Sequence, residues 1–107
     1  TGTAAGYGCG TGGTWPMGAK PAGVSWCGAL DMAGNVREWV EDCWHDTYTG
    51  APVDGSAWVS PSSSRRVLRG GGFSNTAGGL RSASRRNGVP TWRYAEYGAR
   101  CVRGPVP

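Results

Sequence analysis

At 107 residues, with 20 glycines, seven prolines, six tryptophans and four tyrosines but only 17% charged residues, the chain is sized for one domain with one core. That composition excludes a charge-rich disordered polymer. The net charge of +4 is unevenly divided, since residues 1–64 carry two basic and six acidic groups whereas residues 65–107 carry nine arginines against Glu96 alone.

An acidic half and a basic half predict mutual pairing, with a nucleic-acid face as the alternative. Arginine supplies ten of the eleven basic residues, which favours fixed planar hydrogen bonding over diffuse charge. No apolar run approaches the roughly 20 residues that a membrane-spanning helix needs. The chain shows neither an initiator methionine nor a targeting signal, and so reads as an excised or incomplete piece.

In chain order, Thr1 to Gly18 is rich in Gly, Thr and Ala without a period of 2 or 3.6. It predicts irregular coil pinned by Tyr7, Trp15 and Cys9. Lys20 to Gly23 is a turn signal. Asp31 to Asn35 predicts a tight turn with a positive φ, because Gly34-Asn35 suits neither helix nor strand. Val36 to Glu41 then alternates as a strand, with Val36, Glu38 and Val40 on one face and Arg37, Trp39 and Glu41 on the other.

A carboxylate between two valines needs a partner. Asp31, Glu38 and the turn carbonyls would make the all-oxygen cluster that calcium prefers. The alternative is that Asp31 caps the turn while Glu38 pairs with an arginine of the basic half.

Glu41 to Gly55 is a polar, turn-rich excursion, and Ser60 to Ser64 a flexible connection. Trp44, Tyr48 and Trp58 are expected to be packing anchors. Beyond them, stiff segments at Val67–Arg69, Leu80–Ala83 and Ala99–Val102 predict strands. The intervening Ser74–Thr76, Arg86–Val89 and Trp92–Glu96 predict exposed loops, an arrangement suited to binding. Gly70, Gly71 and Gly72 predict close approach of another backbone or of a metal shell. They do not make a phosphate loop, since no GxxxxGK[ST] pattern follows.

The four cysteines, Cys9, Cys27, Cys43 and Cys101, are spaced by 18, 16 and 58 residues. These spacings fit neither a CxxC redox motif nor a paired-ligand zinc site. Free thiols and disulfides both remain open, and His45 adds little to a metal case.

The segments Leu30–Val40, Arg66–Phe73, Leu80–Arg85 and Tyr97–Arg100 resemble, in order, the signature series of the formylglycine-generating enzyme/sulfatase-modifying-factor family, over roughly residues 15–103. The resemblance implies an α+β, C-type-lectin-like fold with little regular secondary structure, here with a pared-down N-terminal part. It also implies a calcium ion held by Asp31, the carbonyls of Gly34 and Val36, and Glu38. The family's enzymes bind copper(I) through two cysteines in the loop after the glycine-rich strand, as soft thiolates suit that ion. Here the loop from Phe73 to Leu80 contains no cysteine, Asn75 standing about where the first would be. Arg37 replaces a usual Trp, and Gly72 a usual Ser. No catalytic residue and no copper are therefore expected.

The closing stretch also resembles the variable region of diversity-generating retroelement proteins, in which copying errors at adenines turn Asn codons into many residue types on a fixed lectin-like frame. Ser74, Asn75, Thr76, Gly78, Gly79, Ser84, Arg86, Asn87, Gly88, Tyr94 and Ala95 can each arise from an Asn codon by changing adenines alone, whereas Trp92 and Glu96 cannot. With Phe73 and Trp92, these positions make the expected ligand-binding set within residues 65–103. Aromatics there would supply contact area, and Ser, Gly and Asn adaptable hydrogen bonds. A protein is the expected ligand, in a molecule of bacterial, archaeal or phage origin. A thiol-acting oxidase of the family and a nucleic-acid binder are the rival readings.

Overall fold

The computed structural model describes residues 13–103. Asp31 to Asn35 makes the tight turn that the sequence predicts, with Asp31, Gly34 and Asn35 at φ of 58°, 83° and 65°. Asp and Asn tolerate this region because their short polar side chains bond locally. The Asp31 carboxylate accepts the Gly18 N–H at 2.8 Å. The Asn35 amide accepts the Trp15 N–H at 2.7 Å and donates to the Trp15 carbonyl at 3.1 Å. Trp15 thus anchors the N-terminal coil as expected, while Tyr7 and Cys9 lie outside the described residues.

From this turn the chain enters β1 (Arg37–Cys43), the longest strand, followed by β2 (Arg66–Arg69), β3 (Arg86–Gly88) and β4 (Tyr97–Gly98). They form one sheet in the order β3-β2-β1-β4, antiparallel except for the parallel β1–β4 pair. Successive side chains of a strand point to opposite faces. Both Val67 and Leu68 are only 1% exposed, so the sheet is covered on both sides at β2. Trp39 pairs with Leu68, and a register irregularity before Cys43↔Arg66 breaks the alternation predicted through Glu41. Trp58 is buried as an anchor, stacked on His45 with ring centroids 3.8 Å apart. Trp44 is half-buried and Tyr48 exposed. Short strands, two 3₁₀ turns (Pro21–Gly23 and Ala77–Leu80) and long connections make this the α+β, C-type-lectin-like architecture.

Three expectations change. Leu80 to Ala83 is not a strand; the chain leaves the 3₁₀ turn at Leu80 and turns again, with the Ser84 N–H donating to Arg81 O at 2.9 Å. Arg86 to Gly88 is not a loop but the edge strand that satisfies the backbone of β2. Ala99 to Val102 is not a strand: pairing ends at Gly98, and the Arg100 side chain reaches across to the Leu30 carbonyl instead.

The glycine triplet permits close approach, as expected. Gly71 lies at φ 69°, and a Cβ there would sit 2.8 Å from the Gly79 carbonyl oxygen. The turn is stitched to this triplet by the Gly34 N–H to Gly70 O (2.7 Å) and by the Phe73 N–H to Asn35 O (2.8 Å).

Asn35→Ala removes both bonds to Trp15 and leaves a β-carbon residue at positive φ, so it is expected to lower unfolding free energy by about 2–4 kcal/mol in urea titration. Asn35→Gly, which loses the bonds but not the backbone freedom, is expected to fall between wild type and Ala.

Candidate functional site

Two regions gather the predicted site residues. The first is a cavity of about 440 Å³ whose lining includes Asp31, Gly34, Val36 and Glu38, the four candidate calcium ligands, together with Arg100. Positive φ at Asp31 and Gly34 turns the chain so that these residues lie beside Val36 and Glu38 at the start of β1. The donors are all oxygens, which fits a hard cation. Only two carboxylates contribute, and among the described residues no three His, Cys, Asp or Glu side chains converge.

The Arg100 guanidinium already engages this oxygen set. Its Nε and Nη2 donate to the two Glu38 oxygens, Nη1 to Leu30 O at 2.9 Å, and Nη2 also to Asp31 O at 3.0 Å. The hydrogen bonds to Glu38 hold the Arg100 pKa above its usual value, opposed by burial and reinforced by the Glu38 and Asp31 charges. It is the one ion pair among the described residues, and it joins the acidic half to the basic half.

The other described arginines that have partners serve packing and turns. Arg66 donates to Glu41 O, Arg69 to Ser82 O, Arg81 to Gly78 O and Arg65 to Asn87 Oδ1, while Arg85 lies over both Trp44 and Tyr48.

The second region is the loop face. A chain of edge-to-face rings runs from Trp39 on β1 to Tyr97 on β4 (5.7 Å), then to Tyr94 (4.9 Å) and Trp92 (5.9 Å). Tyr94, the third ring, is 56% exposed, and Arg65 lies over the Trp92 ring at the end of the chain, at 5.5 Å. The Ser74 hydroxyl donates to Glu96, tying the 73–76 loop to the 92–96 loop.

Ser74, Thr76, Gly78, Arg86, Tyr94 and Ala95 are exposed, and Phe73, Asn75, Gly79, Ser84, Asn87 and Trp92 half-buried. Asn75 is a turn-former, its Oδ1 accepting the Gly72 N–H at 2.6 Å. Gly88 is set apart from the rest: it is buried in β3, where a Cβ would meet the Trp39 ring at 2.8 Å and Leu68 at 3.0 Å. Sequence reasoning missed Tyr97, Trp39 and Arg100 as members of these sites, since their roles depend on the parallel β1–β4 pairing.

The model of the sulfatase-modifying factor enzyme 1-like domain matches residues 5–105. The chain belongs to this family. Among curated proteins, this member is 35% identical over 92 residues to the serine/threonine-protein kinase Pkn1 of Chlamydia trachomatis serovar L2, covering 84% of this chain and 15% of that protein. It is 38% identical over 93 residues to the pkn1 kinase of Chlamydia caviae, covering 85% and 15%.

Among solved structures it resembles PvdO from Pseudomonas aeruginosa, with a TM-score of 0.78 and 40% identity over 89% of this chain and 36% of that one. It also resembles Treponema denticola variable protein 1, with a TM-score of 0.72 and 33% identity over 92% and 35%. This chain therefore spans only a small part of the kinases' length and about a third of each structural neighbour, all of them bacterial. No helix among the described residues is long and apolar enough to cross a membrane.

In this family member the loop Phe73–Leu80 carries no thiol; of the described cysteines, Cys43 is buried and Cys27 and Cys101 are exposed and unpaired.

Gly88→Ala is expected to lower the melting temperature by roughly 4–15 °C through overpacking against Trp39. Gly78→Ala, which meets open space, is expected to leave it within about 4 °C.

Proposed function

We propose that this domain is a non-enzymatic ligand-binding module, the display part of a diversity-generating retroelement variable protein, which contacts a protein ligand through the loops of residues 73–96. The observation that carries the reading is the aromatic chain from Trp39 to exposed Tyr94, fixed to the sheet at one end and bordered by small polar loop residues at the other. Rigid aromatics set among adaptable Ser, Asn and Gly are a composition of paratopes. The likeness to a protein named as variable supports it. The thiol-free loop supports a non-catalytic role, because copper(I) chemistry of the family kind needs soft ligands there.

Calcium is proposed as a stabilising ion at Asp31, Glu38 and the Gly34 and Val36 carbonyls, sharing Glu38 with Arg100. A second reading, favoured by identity to the Chlamydia kinases, makes the domain an accessory recognition module of a larger protein.

Two measurements test the proposal. Copper(I) with a Cys-containing peptide is expected to give no oxygen-dependent turnover; turnover above a copper-only control refutes the non-enzymatic reading. Chelation by EGTA is expected to lower the melting temperature of the calcium-loaded protein by several degrees, through loss of the ion's binding free energy. An unchanged melting temperature in calcium and in EGTA refutes the ion site.

A further inference from the structure

Arg37 is a largely buried cation without a partner among the described residues. It is 8% exposed, and its backbone N–H donates to Glu96 O at 2.6 Å. Its side-chain Nε is fully buried and unbonded, and among the described residues nothing forms an ion pair or hydrogen bond with its guanidinium. The neighbouring carboxylates are committed elsewhere. Glu38 points to the opposite face of β1 and holds Arg100, and Glu96 accepts the Ser74 hydroxyl.

An arginine remains charged at any physiological pH, and burying such a charge without a counter-charge is costly. An apolar residue at this strand position would avoid that cost. A buried polar group left unsatisfied points to a bound ion or a functional role.

Strand alternation puts Arg37 on the same face as Trp39, and Arg37 stands in register with Tyr97, whose ring meets both Trp39 and Tyr94. The unpaired charge thus lies at the sheet end of the aromatic chain. Arginine beside Tyr and Trp is the composition of binding hot spots, and its planar fork matches a carboxylate through two parallel bonds.

We propose that Arg37 is the anchoring cation of the loop face, and that the ligand supplies a carboxylate, from an acidic side chain or a chain terminus, which pairs with it beside Tyr97 and Tyr94. This deepens the ligand-binding reading and rests on it.

Glutarate serves as the probe and its uncharged analogue glutaramide as the control, at constant ionic strength. Glutarate at about 100 mM is expected to raise the wild-type melting temperature by at least about 3 °C and to change tryptophan fluorescence, with glutaramide doing neither. Arg37→Met is expected to melt at or above the wild type without probe, since a buried unpaired charge has been removed, and to ignore glutarate. Arg37→Lys, which keeps the charge without the fork, is expected to respond more weakly than wild type.

Equal glutarate shifts in wild type and Arg37→Met, or no shift in wild type, overturn the assignment. A marked loss of stability in both variants also overturns it, by making the guanidinium a structural group. None of these results touches the non-enzymatic reading, which stands or falls on the copper(I) turnover assay.

Discussion

The constraint on which the rest of the molecule depends is the Asp31–Asn35 turn. Three of its five residues sit at positive φ, and only residues that tolerate that region close it. Once closed, it fixes three separate parts of the chain. The Asn35 amide holds Trp15, Gly34 holds the glycine triplet through Gly70, and the Asn35 carbonyl holds Phe73 at the root of the first loop. The same turn feeds directly into β1, so its geometry sets which face receives Glu38 and which receives Arg37. The oxygen-lined cavity and the aromatic loop face are therefore two sides of one strand, positioned by one turn.

Opposite faces of β1 treat arginine in opposite ways. Arg100 is saturated, with a carboxylate and two carbonyls around one guanidinium. Arg37 is buried with no counter-charge among the described residues. The first arrangement locks the C-terminal segment across the turn, closing the acidic half onto the basic one. The second is a local energetic cost on the face where the loops converge. Arg100 is the one arginine of the basic half with a carboxylate partner among the described residues, whereas Arg65, Arg66, Arg69 and Arg81 donate to neutral oxygens of the fold.

Much of the frame was legible in the sequence. Gly34-Asn35 announces the turn, the alternation from Val36 announces β1, and Val67-Leu68 announces the buried β2. Other parts were hidden for physical reasons. Arg86-Asn87-Gly88 carries no apolar alternation and becomes a strand because β2 needs hydrogen-bond partners along its other edge, with Gly88 making room for Trp39. Leu80-Arg81-Ser82-Ala83 has strand-like alternation, yet Leu80 packs onto Gly71 at the end of a 3₁₀ turn. The candidate site was legible as loops but not as an ordered surface. The ring contacts from Trp39 to Trp92 depend on a parallel pairing of residues far apart in the chain, and propensity does not encode such pairings. The unpartnered state of Arg37 likewise appears only once the neighbouring carboxylates have been assigned.

The central claim is that a fixed frame carries loops that are free to change. It is tested most directly by randomising Ser74, Thr76, Gly78, Arg86, Tyr94 and Ala95 together and measuring the melting temperatures of unselected clones. All six are exposed, and exposed positions contribute little to stability beyond the Ser74–Glu96 hydrogen bond and the Tyr94 ring contacts, so most clones are expected to melt within roughly 10 °C of the parent. A library in which most clones fail to fold would contradict the account, because the loops would then be part of what holds the frame together.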